Sequence, residues 1–323
     1  MIGHALHDAL DAAGPQAGHI VHLWWLTVAI CTAVFAAVMA ALVVALKRAP
    51  RAQAGDPPDV SSLTRAEPTL FRAVTAAVAA SAVLLMVLLV ASIATDRAIA
   101  SLPGEGALHI EVTGHQWWWA VHYDDAQLDR VFDTANEIHV PVGRPVIVSL
   151  ESADVIHSFW VPNLHGKKDL IPGHTTSISL RADKPGIYRG QCAEFCGLQH
   201  AFMAFEVVAS PPAEYEAWAQ AQRRPAAEPS DAQAQHGKEL FMSGTCMLCH
   251  AIDGTTAGAR MAPNLTHVAS RRTLAAGTLE NTPQNLAAWI LDPQKAKPGA
   301  QMPAHPLDGS DLGALVAYLE TLK

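Results

Sequence analysis

Clusters of basic residues, which nucleic-acid-binding proteins need, are missing from this sequence. Its 22 lysines and arginines are outnumbered by 30 aspartates and glutamates, and the formal net charge is -8. Since phosphate binding relies on clustered lysine and arginine side chains, nucleic acid is excluded as a partner. Charged residues make up only 16% of the chain and are scarcest before residue 95. This distribution predicts a membrane anchor followed by soluble domains.

Cysteine is also scarce, and its spacing excludes a disulfide framework. Only five cysteines occur, and four of them form two short clusters, Cys192 with Cys196 and Cys246 with Cys249. A histidine follows each cluster closely, which is the spacing of cofactor ligands. The fifth, Cys31, lies within an apolar run, and we interpret it as a small buried hydrophobic residue without a further role.

Two long runs near the N-terminus contain no charged residue. Residues 23–46 and 74–94 are uncharged throughout, and about 20 apolar residues suffice for a helix to cross the hydrocarbon core. They predict a transmembrane hairpin in membrane lipid over residues 23–95, with helices at about 23–46 and 72–95. No lysine or arginine precedes the first run, so the basic start of a cleaved signal peptide is missing. We therefore expect a retained anchor.

The residues next to these runs predict the orientation of the hairpin. Four basic residues lie between the runs, Lys47, Arg48, Arg51 and Arg65. The N-terminal tail, residues 1–22, contains no lysine or arginine, and its only titratable side chains are acids and histidines. The loop is therefore expected in the cytoplasm, with both termini and all soluble domains on the periplasmic side of a bacterial inner membrane. The tail histidines, which we expect to be solvated, are His4, His7, His19 and His22.

The remaining chain divides into a β-rich part and a helical part. Residues 106–210 contain short alternating or β-branched runs between glycines and prolines, which is typical of an antiparallel sandwich or barrel. Residues 211–230 are rich in proline, alanine and glutamine, and we interpret them as a short helix followed by a linker. Residues 231–323 contain helical stretches, notably 283–291 and 311–322. This last part predicts a small all-α domain.

The segment GQCAEFCGLQHAFM combines several metal ligands at close spacing. Within twelve residues it holds Cys192, Cys196, His200 and Met203. Thiolate, thioether and imidazole suit copper and discriminate against magnesium or calcium. A mononuclear blue-copper site needs one cysteine, whereas two thiolates in one loop can bridge two copper ions. A structural zinc half-site or a redox disulfide remains an alternative, although zinc would need another cysteine or histidine pair.

A second histidine is offered by His157 in ADVIHSFWVP, after a predicted strand. The pairing of DVIHSFWVP with GQCAEFCGLQHAFM resembles subunit II of cytochrome c oxidases, over roughly residues 20–210. The resemblance implies a cupredoxin-like β-sandwich that holds a dinuclear copper A centre. The implied ligands are the side chains of His157, Cys192, Cys196, His200 and Met203 and the backbone carbonyl of Glu194. The Glu194 side chain would reach a magnesium or manganese ion shared with subunit I.

The aromatic stretch GHQWWWAVHY also matches that family. In the family the first tryptophan, here Trp117, is the point at which electrons enter near the copper pair. If the stretch is one strand, Trp117 and Trp119 share a face and Trp118 points to the other. Periodicity alone favours packing for all three tryptophans. Only the resemblance assigns Trp117 a role in electron transfer.

The start of the second apolar run departs from the family pattern. Many members have a glutamate there, followed by Trp-Thr and a proline, with the glutamate at the mouth of a proton channel. Here Glu67 is followed by PTLFRAV. We therefore interpret Glu67 as a solvated loop acid, with a proton-channel role as the weaker alternative.

The segment CMLCH has the C-x-x-C-H pattern of covalent c-type haem attachment. The spacing lets the thiols of Cys246 and Cys249 reach the two vinyl groups, while the imidazole of His250 turns toward the iron. A zinc knuckle is the alternative, but it would need further ligands nearby. The only later candidates are His267 and His305.

A sixth iron ligand is offered by Met302 in KPGAQMPAHP, with His305 as the rival and simple packing as the remaining alternative. Thioether ligation raises the reduction potential, as suits a donor to copper. The order GKELF, CMLCH, APNLT and GAQMPAHP resembles class I cytochromes c over about residues 231–323. In that family the methionine of the last element is the distal ligand. The methionines that lack this context are Met242, Met247 and Met261.

Together these motifs predict subunit II of a haem-copper terminal oxidase of the caa type. Electrons from a soluble or membrane-bound cytochrome c, or another periplasmic donor, would pass through haem c and copper A to the haem of subunit I. Oxygen reduction and proton translocation would occur in subunit I, with subunit III as a further partner, so this chain needs no catalytic residue. The alternatives are a copper-A nitric oxide reductase subunit and a membrane-anchored copper chaperone, although a chaperone has no use for covalent haem. A quinol oxidase subunit II lacks the copper ligands.

Overall fold

The computed structural model describes residues 5, 7–49, 55, 67–102 and 104–323. These residues form two compact units. One unit spans His19–Ser101, and the other combines the N-terminal residues up to Gly18 with Leu102–Lys323. The apolar runs and the soluble domains thus belong to different units.

The two apolar runs form the helices α1 (Pro15–Arg48) and α2 (Pro68–Ala100). Both are long and apolar enough to cross a membrane, and neither buries its apolar window inside the protein. Each helix extends beyond the predicted run, because every added residue contributes one backbone hydrogen bond whether its side chain is apolar or not. The basic residues Lys47 and Arg48 form the last turn of α1, where they also complement the helix dipole.

Several residues singled out in the sequence lie in or beside these helices. Cys31 is exposed on α1, so the prediction of a buried side chain was wrong, because α1 presents its apolar side chains outward. Glu67 immediately precedes α2, is exposed and makes no capping hydrogen bond with its side chain. Arg51 and Arg65, which were used to orient the hairpin, lie outside the described residues.

Ten strands form two five-stranded sheets that face each other as a sandwich. Their bounds are β1 (Leu108–His115), β2 (Trp118–Asp124), β3 (Phe132–Ala135), β4 (Glu137–Pro141), β5 (Val146–Ser152), β6 (His157–Trp160), β7 (Lys168–Leu170), β8 (Thr176–Leu180), β9 (Gly186–Cys192) and β10 (Ala204–Ser210). The strand orders are β3-β2-β1-β5-β8 and β4-β10-β9-β6-β7. Only the pairs β1–β5 and β4–β10 are parallel among these described strands. Alternate side chains face the interior, as the buried positions of β1 illustrate.

The aromatic stretch forms a hairpin, not the single strand that the sequence predicts. β1 ends at His115 and β2 begins at Trp118, so Gln116 and Trp117 form the connecting turn. Trp119 is completely buried in the core, whereas Trp117 and Trp118 are partly exposed. Side chains alternate between faces only within a strand. The turn therefore separates Trp117 from the core face that Trp119 occupies.

The N-terminal segment packs on the sandwich at Ala13, although its described histidines are exposed as the sequence predicts. Ala13 is buried against the sandwich, where its backbone N–H donates to Asn163 O at 2.8 Å and its carbonyl accepts from Asp183 N at 2.7 Å. Backbone groups that pair with the sandwich hold the segment in place, although its side chains are small. His7, His19 and His22 are exposed, the last two within α1. His4 lies outside the described residues.

The C-terminal part is helical. Its elements are α3 (Pro212–Gln222), α4 (Ala232–Ser243), β11 (Thr273–Leu274), β12 (Leu279–Glu280), α5 (Pro283–Leu291), α6 (Pro293–Ala296) and α7 (Gly309–Thr321). The segment after α3 packs against the helical domain, because Ala226 N donates to Asp253 O at 2.9 Å. His267 is buried, and its Nε2 atom lies 3.1 Å from the carbonyl oxygens of Gln222 and Arg224. His267 therefore has a structural role in holding this segment.

Close packing of α4 on α7 depends on Gly237. A Cβ added to Gly237 would lie 1.9 Å from the backbone oxygen of Ala314. Because backbone cannot yield as a side chain can, we expect Gly237→Ala to lower the free energy of unfolding by about 1–3 kcal/mol or more. Chemical denaturation followed by circular dichroism measures this change. Gly313→Ala in α7 is the matched control, since its Cβ would meet only the end of the Gln233 side chain. Equal destabilisation by both variants would contradict the assignment.

An ion pair between β2 and β3 makes stability depend on pH. His122 Nδ1 lies 2.6 Å from Asp133 Oδ1, and this hydrogen bond raises the pKa of His122 above 6.5 and lowers the pKa of Asp133 below 3.8. The histidine contribution is complete below pH 6.5 and is lost as pH rises through the raised pKa. The aspartate contribution is complete above pH 3.8 and is lost as pH falls through the lowered pKa.

We therefore expect the destabilisation caused by Asp133→Asn to be greatest between pH 3.8 and 6.5. Thermal unfolding across the pH range measures it against the unchanged chain. In a His122→Ala background the same substitution should have no such pH dependence. A destabilisation that is constant with pH would contradict the prediction.

Candidate metal centre and cofactor cavity

Two thiols and two imidazoles meet inside the sandwich. Cys192 ends β9, Cys196 lies in the following loop, and their Sγ atoms are 3.7 Å apart. His157 Nδ1 lies 3.8 Å from Cys192 Sγ, and His200 Nδ1 lies 3.6 Å from Cys196 Sγ. Within the part of the chain that the structure describes, His157 and the two cysteines form the only group of three such ligand atoms that lie within 4.8 Å of one another. Each thiol thus faces one imidazole.

Two weaker donors complete the cluster. Met203 is fully buried, with its Sδ atom 3.8 Å from Cys196 Sγ. The carbonyl oxygen of Glu194 lies 3.2 Å from Cys192 Sγ. His157 comes from a distant part of the sequence, but β6 and β9 are neighbouring antiparallel strands. The structure therefore brings together all six groups that the sequence indicated as copper ligands.

The charges of the two thiols fit a bound cation. Because the sulfurs share a hydrogen bond, the pKa of Cys192 is lowered and that of Cys196 is raised. Two thiolates side by side in a buried site would repel each other, and a metal cation removes this repulsion when it displaces the protons. Soft sulfur donors together with imidazole suit copper. The residues present thus fit a copper centre.

Asp154, which the sequence motifs did not indicate, orients His157. Asp154 Oδ1 accepts a hydrogen bond from His157 Nε2 at 2.8 Å, which leaves the Nδ1 atom directed toward Cys192. Asp154 Oδ2 accepts from the backbone N–H of Gln116 at 2.7 Å. Histidines that bind metals usually donate their second ring N–H to a carboxylate or carbonyl. An aspartate three residues before a candidate ligand was therefore a usable signal.

The Glu194 side chain is partly exposed. No second group of three histidine, cysteine or acidic side chains gathers near it among the described residues.

A second site is a cavity of about 360 Å³ whose wall comes mainly from the helical domain and also includes Trp117 and Trp118 of the sandwich. It is lined by the residues that the sequence indicated for haem attachment and ligation, Cys246, Cys249, His250 and Met302. The rest of the wall is mainly apolar and includes Phe241, Leu265, Leu286, Trp289, Ile290 and Leu315. His305 also lines the cavity, so the choice between Met302 and His305 as distal ligand stays a prediction.

Two polar side chains in the wall fit a charged, iron-containing group. His250 Nδ1 donates to Pro263 O at 2.7 Å, and burial lowers the pKa of His250, so the neutral ring leaves Nε2 for a metal. Arg271, which the motifs did not indicate, is partly buried, and burial lowers its pKa to about 10. Within the described chain, its Nε atom has no hydrogen-bond partner. A buried donor of this kind fits an anionic carboxylate, as the haem propionates supply.

Trp117 lies between the two sites. Its indole Nε1 donates to the carbonyl oxygen of Cys196 at 2.9 Å, and Gln116 Nε2 donates to the same oxygen at 2.8 Å. The Trp117 side chain also lines the cavity of the helical domain. Trp117 therefore touches both the thiol loop and the cavity, as does Gln116 before it.

Comparisons with known proteins match both soluble domains to known families. Residues 108–210 match the family model described as cytochrome c oxidase subunit II, periplasmic domain, and residues 234–323 match the cytochrome c family. Cytochrome c oxidase subunit 2 of Alkalihalophilus pseudofirmus is 37% identical over 330 residues, which cover 100% of this chain and 92% of that protein. The Bacillus subtilis protein of the same name is 34% identical over 230 residues, covering 68% of this chain and 63% of that protein.

A solved structure is also similar. The periplasmic domain of cytochrome oxidase subunit II from Bradyrhizobium japonicum is 33% identical, with a TM-score of 0.34 over 36% of this chain and 93% of that one. The family matches confirm both resemblances drawn from the motifs. They also confirm the expected fold class of two apolar helices, a cupredoxin-like β-sandwich and an all-α cytochrome c domain.

Proposed function

Because the chain belongs to the cytochrome c oxidase subunit II family and ends in a cytochrome c domain, we propose that it relays electrons from haem c to copper A and on to subunit I. The copper A centre and the haem c implied by the two domains supply one-electron redox chemistry when bound. The position of Trp117, in contact with the thiol loop and the cavity wall, is the single observation that carries the order of the relay.

At the copper centre we infer that the thiolates of Cys192 and Cys196 would hold the copper ions. His157 and His200 would each bind one copper, Met203 and the Glu194 carbonyl would bind as weaker donors, and the Glu194 side chain would bind magnesium or manganese with subunit I. Burial of Cys192, Cys196 and Met203 excludes water from the sulfur donors. A dry, rigid set of ligands changes little between two oxidation states, which favours fast electron transfer.

Asp154 has a positioning role in this proposal. We expect Asp154→Asn to weaken copper binding about 10–100-fold, as loss of an outer-shell partner of a metal-binding histidine usually does. Competition with a chelator measures the affinity. Asp129→Asn, at an exposed position of the same domain, is the control and should bind copper like the unchanged chain. Equal affinity of both variants would contradict the role of Asp154.

At the haem we infer covalent attachment through Cys246 and Cys249, with His250 as proximal ligand and Met302 as distal ligand. The hydrogen bond from His250 to Pro263 holds the ring in one tautomer and orientation. Arg271 would pair with a propionate through its buried Nε atom, which has no partner among the described residues, while its Nη2 atom donates to Asn264 O. The apolar wall excludes water around the iron.

The partners follow from this relay. Electrons would come from a soluble or membrane-bound cytochrome c or another periplasmic donor. Oxygen reduction and proton translocation would take place in subunit I, with subunit III in the same complex. The two apolar helices would anchor the chain in the bacterial inner membrane, with the loop between them in the cytoplasm and both soluble domains in the periplasm.

The test is a combined optical and EPR experiment on the full chain in detergent after copper loading. We expect a mixed-valence two-copper signal together with a low-spin haem c spectrum. After the haem is reduced by a light pulse, its reoxidation should coincide with reduction of copper. A mononuclear copper signal would refute the two-copper assignment, and a haem that stays reduced beside oxidised copper would refute the relay.

A further inference from the structure

Lys297 has a buried amino group where the helical domain meets the sandwich. The residue is only 3% exposed, and its Nζ donates to Trp117 O at 2.7 Å and to Ala275 O at 3.0 Å. No carboxylate lies within 4.0 Å of this amino group in the described part of the chain. An unpaired buried charge is costly, and burial lowers the pKa of Lys297 to about 7. Packing of the helical domain alone does not explain the side chain, because one acceptor belongs to the sandwich.

The two residues after Lys297 also contact the sandwich. The carbonyl oxygen of Pro298 accepts a hydrogen bond from Gln199 Nε2 at 2.7 Å, and Gln199 immediately precedes the candidate ligand His200. Gly299 has a positive φ of 84°, and a Cβ added there would lie 3.7 Å from the ring of Trp117. Residues 297–299 therefore contact the loops around the copper site.

We propose that Lys297 is a positioning residue that locks the loop carrying Met302 onto the copper loop in one orientation. The inference rests on the proposed relay. Its geometry is a short series of contacts, in which Lys297 donates to the carbonyl of Trp117 and the indole of Trp117 donates to the carbonyl of Cys196. Since electron transfer slows steeply with distance, a fixed orientation sets the rate between the two sites.

A second attachment at the same boundary is independent of Lys297. Arg272 donates from its backbone N–H to Glu137 Oε2 at 3.0 Å and from Nε to Glu206 Oε2 at 2.8 Å. Between these attachments the backbone N–H of Ala204 in the sandwich donates to Ala276 O in the helical domain at 3.0 Å. Loss of the Lys297 contacts should therefore loosen the boundary without separating the domains. Hydrogen exchange at the Ala204 amide reports on how often the boundary opens.

The experiment compares Lys297→Met with Lys295→Met in the full chain, with copper and haem in place, at pH 6. Lys295 is a matched control, because its side chain is 86% exposed. In Lys297→Met we expect exchange of the Ala204 amide to speed up about tenfold, the effect of one lost hydrogen bond to a charged donor. Electron transfer from photoreduced haem to copper should slow. Lys295→Met should change neither quantity.

Lys297→Gln separates the charge from the hydrogen bonds. It keeps a donor, so its Ala204 exchange should lie between those of the unchanged chain and Lys297→Met. Both variants remove a positive charge near the copper site, so both should lower the copper reduction potential. If Lys297→Met fails to show a normal haem spectrum, the glutamine variant decides alone. The proposal is overturned if the Ala204 amide exchanges in these variants at the same rate as in Lys295→Met. If the unchanged chain shows a protected Ala204 amide but no electron transfer from haem to copper, only the relay is refuted.

Discussion

A Cys196→Ser variant of the full chain is expected to lose the two-copper EPR signal while keeping its haem spectrum. Cys196 Sγ lies between three other donors, 3.7 Å from Cys192 Sγ, 3.6 Å from His200 Nδ1 and 3.8 Å from Met203 Sδ. Its removal would take away one of the two thiolates that we propose as copper ligands. A serine hydroxyl cannot replace it, since it stays protonated at neutral pH and lacks the soft character that copper prefers. Oxygen consumption by the assembled oxidase, measured with reduced cytochrome c, should fall to background.

The fifth cysteine provides the matched control for this experiment. Cys31 lies in α1, away from both ligand clusters in the sequence. Cys31→Ser should therefore leave the copper signal, the haem spectrum and oxygen consumption unchanged. An intact two-copper signal in Cys196→Ser would show that the bridging thiolates have been assigned wrongly.

A Met302→Leu variant is expected to lower the reduction potential of the haem by on the order of 100 mV or more. Met302 lines the cavity that also contains His250 and the two attachment cysteines. Thioether ligation stabilises the reduced iron, so its loss makes reduction less favourable. The haem would then accept electrons less readily from a periplasmic donor. Potentiometric titration followed by absorbance measures the shift.

His305 is the comparison for the distal ligand, because it lines the same cavity three residues later. If Met302 binds the iron, His305→Ala should leave the potential close to that of the unchanged chain. A large shift in His305→Ala together with none in Met302→Leu would reassign the distal ligand to His305. Shifts in neither variant would leave both residues with a packing role only.

Local sequence patterns predicted those features whose chemistry is complete within a few residues. The helix over residues 283–291 was confirmed with the same bounds, since Thr282 caps it by accepting from Asn285 N and Pro283 starts it. The CMLCH attachment segment and the loop from Cys192 to Met203 are equally local. Their ligand types and spacing predict haem attachment and copper binding without any knowledge of long-range contacts.

The single-strand interpretation of GHQWWWAVHY failed because hydrophobic alternation does not show where a strand turns. The hydrogen bond of Gln116 N to Asp154 Oδ2 helps to hold that turn, and Asp154 lies in a distant part of the sequence. The contact between the N-terminal segment and the sandwich was not predicted for a related reason. The backbone of Ala13 forms hydrogen bonds with Asn163 and Asp183. Such backbone contacts cannot be predicted from the types of the side chains.

By itself the sequence determined the two ligand sets, the two apolar helices and the order of the domains, because spacing and composition encode them. The tertiary structure decided how the sites are supported and how they meet. The pairing of β6 with β9 brings His157 to the thiols, and domain docking places Lys297 on the carbonyl of Trp117. Such contacts depend on strand order and on buried backbone acceptors, which are properties of the folded chain and not of any short segment.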